Sequence, residues 1–391
     1  MEEHGGSKDF IFRIPELFKM RNEQAYTPYE FSIGPCHFDE TNMLLRTGQN
    51  FKESYFERLI QRFPKGEKKP QLEEAIEDVY GEARECYRRG DVYDDVSKEN
   101  FKKMLLLDGC FIIDLLRTKD GFSKANYQAI YHDLLLLDNQ IPWFVLELLF
   151  DRTKDYPECP KKSLVELATD FFSPALPLER RETKTSNILH LVDFVWRFWV
   201  GSQAMQGVTY IGLDPDYGTY IPSATRLEEA GVKFQKAEST HTLDVKFNEG
   251  VLKIPYLVIT AWTETVFRNL IIFEQCRIGC TPCVTCYAVL LDCLVNTSDD
   301  VDLMCREGVL GNSINPEETA NFFNSVRRNT LVDGFRYASL CKDVNIYCQR
   351  RWPRWQTFSI QNYFSRPWAI VSVVFPMIVL FFTIMQVFYY K

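Results

Sequence analysis

Cys276, Cys280, Cys283 and Cys286 form the densest set of chemistry-bearing side chains in the chain. The first three match the spacing by which some radical enzymes hold an iron–sulfur cluster, and thiolates this close together also bind zinc. Against that reading, Cys283 and Cys286 open the apolar run CVTCYAVLLDCLV (283–295), which looks like a buried helix where cysteine acts as a small hydrophobe. No histidine lies nearby and no second zinc knuckle accompanies the quartet. The expectation is therefore no metal site and no cofactor, with the four cysteines kept as the rival, a metal- or redox-active centre. His4, His37, His132, His190 and His241 are scattered, and none belongs to an H-E-x-x-H pair. G-x-S-x-G, P-loop and G-x-G-x-x-G motifs are absent. A catalytic Cys–His pair needs only neighbours in space, but nothing in the sequence selects one. No catalytic residue is assigned, and no enzyme is expected. Asn296-Thr-Ser298 is the only glycosylation sequon, and Ser298 before Asp299 and Asp300 reads better as a helix N-cap with an acidic first turn.

The elements around these residues read as mainly helical. At 391 residues, 46% hydrophobic, the chain is long and apolar enough to bury a real core. Leu72–Arg89 is acidic early and basic late, the pattern of a surface helix that Gly90 can end. Ser97 caps Phe101–Leu116, whose apolar residues cover nearly the whole circumference and belong in the middle of the core. Ala125–Phe150 is interrupted by Asp138-Asn-Gln-Ile-Pro142. Proline disfavours helical geometry at Ile141, so two helices meet at a kink whose freed backbone groups the polar trio can satisfy. Further helices are predicted at Ser163–Phe172, Ile188–Val200, Thr263–Cys276, Cys283–Val295 and Glu317 to roughly Arg336. A β-hairpin is predicted from Thr242–Phe247, the turn Asn248-Glu-Gly250, and Val251–Ile254.

Charge separates the body from the tail. The chain holds 45 Lys+Arg and 53 Asp+Glu, a net −8, which argues against a nucleic-acid binder held by bulk charge. Residues 321–391 carry nine basic and two acidic residues, so the body is strongly acidic and the tail basic. Trp368–Tyr390 contains no Asp, Glu, Lys or Arg, and at ~1.5 Å per residue it is long enough to span a hydrocarbon core of ~30 Å. Pro376 predicts a kink, and Trp368, Tyr389 and Tyr390 suit the two interfaces. Arg350, Arg351, Arg354 and Arg366 precede the run while only Lys391 follows, which favours a cytosolic body. The N-terminus lacks the basic start and apolar core of a secretory signal, in keeping with a tail anchor. The predicted organisation is a helical body over 1–345, a basic and aromatic segment over 346–366 that contains Trp352 and Trp355, and a transmembrane helix over 367–390.

Several of these segments resemble a plant family called domain of unknown function 247. They are FRIP (12–15), AYTP (25–28), FSIGPCH (31–37), MLLLDGCF (104–111) and DLLLLDNQIP (133–142), continuing through SATRLEEAGVKF (223–234), FRNL (267–270), FEQC (273–276) and YFSRPWAI (363–370). Cys36-His-Phe-Asp39 stands where the family usually has an aromatic residue, two histidines and glycine, which counts against a metal site shared across the family. The chain is also short for the family. The resemblance implies a plant single-pass membrane protein without established catalysis, in the plasma membrane or an endomembrane. Some members are similar to, or are candidates for, pollen-side determinants of self-incompatibility in grasses. The functional expectation is a membrane-anchored, non-enzymatic recognition, signalling or adaptor protein that meets the lipid bilayer and a protein partner but no nucleic acid. An extracellular body is the alternative topology.

Overall fold

The Ser97 hydroxyl accepts a hydrogen bond from Asn100 N at 3.2 Å and starts one continuous helix over Lys98–Thr118. From Met104 to Arg117 every residue of that helix is buried, so other elements must surround it. The computed structural model describes residues 10–351 apart from 21, 39–42, 65–66, 88–95, 119–123, 157–158, 174–175, 177–186, 205–219, 240, 278, 313, 327–329, 331 and 333. Fourteen α-helices and five short strands lie among the described residues. The expected membrane helix and residues 352–366 of the basic segment lie outside them. Among the described residues, no helix is long and apolar enough to cross a membrane.

The N-terminal strap contains α1 (Glu16–Lys19) and a single 3₁₀ turn (Glu23–Tyr26), followed by α2 (Met43–Ile60), α3 (Lys68–Glu85) and α4 (Lys98–Thr118). Next come α5 (Lys124–Leu134), α6 (Trp143–Arg152), α7 (Leu164–Phe172), α8 (Leu191–Ala204) and α9 (Ala224–Glu229). α4 is wrapped by α2, α3, α6 and α7. The strands β1 (Lys233–Ala237), β2 (Lys246–Asn248), β3 (Val251–Pro255) and β4 (Leu257–Ile259) precede α10 (Thr263–Cys276), α11 (Cys283–Leu294), α12 (Ser298–Arg306), β5 (Leu310–Asn312), α13 (Pro316–Val326) and α14 (Ala338–Arg351). α10 packs against α8, α11, α13 and the 3₁₀ turn, so the chain's two halves share one apolar core that runs from Ile11 to Cys348.

The hairpin forms around Glu249 and Gly250, both at positive φ (48° and 83°), the requirement of a two-residue turn that matches strand twist. It is shorter than the alternation predicted. β2 covers only Lys246–Asn248, because Asp244 N bonds His241 O and Val245 N bonds Leu243 O, turning the preceding chain. β1 adds to the far side of β3 in parallel, and β4 pairs in parallel with β5; neither pairing had a local signal.

Helix ends required several corrections. α3 stops at Glu85 rather than Arg89, and Ile11 and Tyr87 then form a β-bridge, with Ile11 N on Cys86 O at 2.9 Å. α13 ends at Val326 rather than near Arg336, and Gly334 at φ 92° turns the chain ahead of α14. α8 begins at Leu191, three residues later than expected. Thr297, not Ser298, precedes α12; the Asp300 carboxylate accepts from the Thr297 N–H (3.0 Å) and hydroxyl (3.1 Å). The predicted start of α7 holds, with Ser163 and Glu166 in a reciprocal capping box.

His190 sits before α8, fully buried between the rings of Phe10 and Phe273, accepting from Asp193 N through Nδ1 while Nε2 has no hydrogen-bond partner. Burial, with Arg277 and Arg197 adding, pushes its pKa down to about 3. Below about pH 6.5 the unfolded chain therefore binds a proton that the folded chain refuses, and stability falls as pH drops through that window. Urea unfolding should show parent protein losing about 1 kcal/mol more than His190→Asn between about pH 7.5 and about pH 5.5. Equal losses in the two proteins would contradict this account.

Candidate functional site

The α5–α6 connection, residues 135–142, carries the polar groups predicted to satisfy its own kink, and part of that prediction holds. Gln140 Nε2 donates to Leu134 O and Leu136 O, both at 2.8 Å. The rest of the network reaches much further, to the strap more than a hundred residues earlier. The Asp133 carboxylate accepts three successive backbone N–H groups, from Tyr29 (2.8 Å), Glu30 (2.9 Å) and Phe31 (2.8 Å). Asn139 then pairs with the strap as a strand would: Ile33 N donates to Oδ1 at 2.7 Å, and Nδ2 donates to Phe31 O at 2.9 Å.

A second buried carboxylate extends the clamp. Asp108, inside α4, accepts from Gly34 N at 2.7 Å and is paired with Lys52 of α2, whose Nζ also donates to Ser32 O at 2.7 Å. Gly34 lies at φ 70°, and a Cβ there would stand 2.4 Å from Gln140 O, so only glycine lets the strap lie this close to the connection. Tyr87 donates to that same carbonyl at 3.0 Å. His132 stacks on Tyr29 with ring centroids 3.8 Å apart, and its two nitrogens face Asp133 Oδ1 and Gln24 O, each at 2.9 Å.

At the solvent edge of this network the strap brings Cys36 and His37 onto Asp138. Cys36, His37 and Asp138 each present one ligand-type atom, and all three atoms lie within 4.8 Å of one another. Among the described residues this is the one such group of three. His37 Nε2 is 2.8 Å from Asp138 Oδ1, while Oδ2 accepts from Ile14 N at 3.4 Å and faces Lys19 Nζ at 3.5 Å. Burial alone would raise Asp138, but the hydrogen bond and charge of His37, with Lys19, hold its carboxyl below the ordinary range. Burial pushes the Cys36 thiol up to about 12; Asp138 adds to this, and Arg13 and Lys19 partly oppose it. That thiol is not activated as a nucleophile. Above the strap a cleft of about 390 Å³ is lined by Ser32, Phe38, Arg46, Asn50, Lys103 and Met104 among others.

The cysteine quartet is distributed differently. Cys276 ends α10, Cys280 lies in the following turn, and Cys283 and Cys286 are buried in the first turn of α11. Cys286 contacts Gly334 O at 3.6 Å and Arg336 N at 3.5 Å. Burial, with Glu274 adding to it, lifts Cys280 and Cys283 to about 12. Burial lifts Cys286 to about 11. Those thiols are not activated as nucleophiles, and among the described residues the four sulfurs do not form a group of three converging ligand atoms. The functional group of this region is one the sequence reading passed over. Glu274, itself raised by burial, accepts from Trp196 Nε1, Val284 N and Thr285 N, each at 2.8 Å, and from Thr285 Oγ1 at 2.7 Å. It caps the start of α11 from the neighbouring helix.

The family model described as "plant protein of unknown function", domain of unknown function 247, matches residues 11–382. The chain belongs to that family. The matched range opens at the strap, includes both sides of the Asp133 clamp, and runs into the apolar segment that begins at Trp368. UPF0481 protein At3g47200 of Arabidopsis thaliana is 26% identical, covering 99% of this chain and 87% of the relative. A second Arabidopsis thaliana UPF0481 protein, At3g02645, is 20% identical, covering 97% of this chain and 89% of the relative. No solved structure matches the chain.

Of the basic residues predicted to flank the membrane, Arg350 is exposed near the end of α14 and Arg351 is its last residue. Arg354, Arg366, Trp368, Pro376, Tyr389 and Tyr390 lie outside the described residues. Lys52, Asp108 and Asp133 were missed as partners. Asp108 carried one sequence signal, a charge inside an otherwise apolar run, as did Asp114 in MLLLDGCFIIDLL; Lys52 and Asp133 lie in helices with other polar residues and carried none. Asp133→Ala should destabilise the protein by roughly 3–5 kcal/mol, because three strap N–H groups lose their acceptor together. Asp133→Asn, which keeps an acceptor oxygen, should cost less in the same denaturation measurement. A loss under about 1 kcal/mol for the alanine variant would show that the strap is held elsewhere.

Proposed function

We propose that this chain is a membrane-tethered, non-enzymatic recognition protein whose helical body meets a protein partner at the cytosolic face of a plant membrane. The observation that carries this reading is the run Trp368–Tyr390, with fixed charges only outside it at Arg366 and Lys391. Such a run finds hydrocarbon a better solvent than water, and its length suits a single span. α14 ends at Arg351, inside the basic and aromatic segment 346–366, so only residues 352–367 separate it in sequence from Trp368. Basic residues on the body side favour keeping that side cytosolic. Tethering raises the body's effective concentration near other membrane proteins without any new contact.

The buried acids support a binding role over catalysis. Asp108, Asp114, Asp133, Asp193, Asp300 and Glu274 each hold backbone N–H groups or a cation. Groups committed in this way fix a shape; a general acid or base has to be available to a substrate. Pollen-side recognition, brought in by family resemblance, is the narrowest form of this reading.

Carbonate washing of membranes should retain the full chain and release a version ending at Arg366; release of both would end the tether hypothesis. On sealed vesicles with the cytosolic face outward, added protease should digest the body. A protected body glycosylated at Asn296 would reverse the topology.

A further inference from the structure

We propose that Cys36, His37 and Asp138 form a divalent-metal site of the zinc class at the solvent edge of the strap clamp. The donor set is one sulfur, one imidazole nitrogen and one carboxylate oxygen, which suits a borderline cation such as Zn²⁺; calcium and magnesium call for an all-oxygen shell. With Zn–S near ~2.3 Å and Zn–N and Zn–O near ~2.0–2.1 Å, tetrahedral coordination places donor atoms about 3.3–3.6 Å apart. The three atoms already lie within 4.8 Å, and the His37 Nε2 to Asp138 Oδ1 separation of 2.8 Å has only to open slightly to admit an ion.

The supporting groups are already in place. Cys36 and His37 follow Ile33 and Gly34, which are pinned by Asn139 and Asp108, while Asp138 directly precedes Asn139 and Gln140. The bonds at Ile33 and Gly34 on one side and at Asn139 and Gln140 on the other already set the approach of the two segments, which reduces the ordering cost of binding. Asp138 divides its oxygens between two tasks: Oδ1 turns toward His37 and the ion position, and Oδ2 keeps Ile14 N and Lys19 as outer partners. A thiolate and a carboxylate neutralise a dication, and the thiol proton leaves to solvent on coordination. His37 keeps 14% of its side chain exposed, so a fourth position is open to water or to a ligand atom from a partner. Lys19 and the neighbouring Arg13 oppose the ion, which makes the site tunable by charge.

The test is a cobalt(II) titration of the full chain in detergent after treatment with chelator. A tetrahedral site gives sulfur-to-cobalt charge transfer in the near ultraviolet and intense visible d–d bands. Both should appear at one equivalent, and zinc should displace them. Cys36→Ser should abolish the charge-transfer band. His37→Asn, which keeps the thiol, should retain charge transfer but weaken binding at least tenfold. Lys19→Gln should tighten it several-fold. The double variant Cys280→Ser with Cys283→Ser should leave the spectrum unchanged. Absence of the bands, their survival in a Cys36→Ser protein of native circular dichroism, or their loss in the double variant overturns the proposal. The result is independent of the membrane reading, because Co²⁺ binding does not depend on where the chain is anchored.

Discussion

One carboxylate, Asp133, receives three consecutive backbone N–H groups from the strap, and the rest of the N-terminal architecture follows from that constraint. An extended segment packed against helices has no ladder to satisfy its donors, and unsatisfied donors in a dry interior cost more than any contact there returns. Here a helix end supplies the missing edge. Asn139 continues it as a side-chain imitation of a neighbouring strand, and Asp108 with Lys52 closes it at Gly34.

The same device recurs in the second half of the molecule. Glu274 binds the buried N–H groups at the start of α11 that have no intrahelical acceptor, Asp300 ties Thr225 to the Asn296–Thr297 turn, and Asn269 joins Leu137 N to Ala25 O. The Asp300 and Asn269 links join elements distant in sequence, and Glu274 adds Trp196 of α8 to the consecutive helices α10 and α11, so these links lock relative positions that apolar contact alone leaves adjustable. At Asp193 burial outweighs its partners: its pKa is raised even though Arg197 and Arg277 both approach it. Such groups add specificity of arrangement more than net stability.

This economy bears on function. The acids that might have served chemistry are occupied in shaping the body, and the quartet sulfurs do not converge on one point among the described residues. The Cys36–His37–Asp138 corner differs because its donors are of mixed type, converge, and reach solvent through His37. That corner is what the proposed metal site is built from, and the proposed recognition role asks no catalysis of it.

Local pattern was enough to read the mainly helical character, the burial of α4 from Met104 onward, the break between α5 and α6, the span of α10 and the turn at Glu249-Gly250. These features arise within a few residues, where hydrophobic period, proline and glycine act directly on backbone geometry. The apolar run Trp368–Tyr390 was legible for the same reason, as a property of composition. What the sequence could not supply was partnership across long separations: β1 on β3, β4 on β5, Lys52 with Asp108, and Cys36 and His37 on Asp138. An acidic residue in an apolar helix announces that a partner exists but not which one it is, because the partner is chosen by how the helices pack. That choice was made by tertiary structure alone, since the free energy of a buried charge depends on what surrounds it in space.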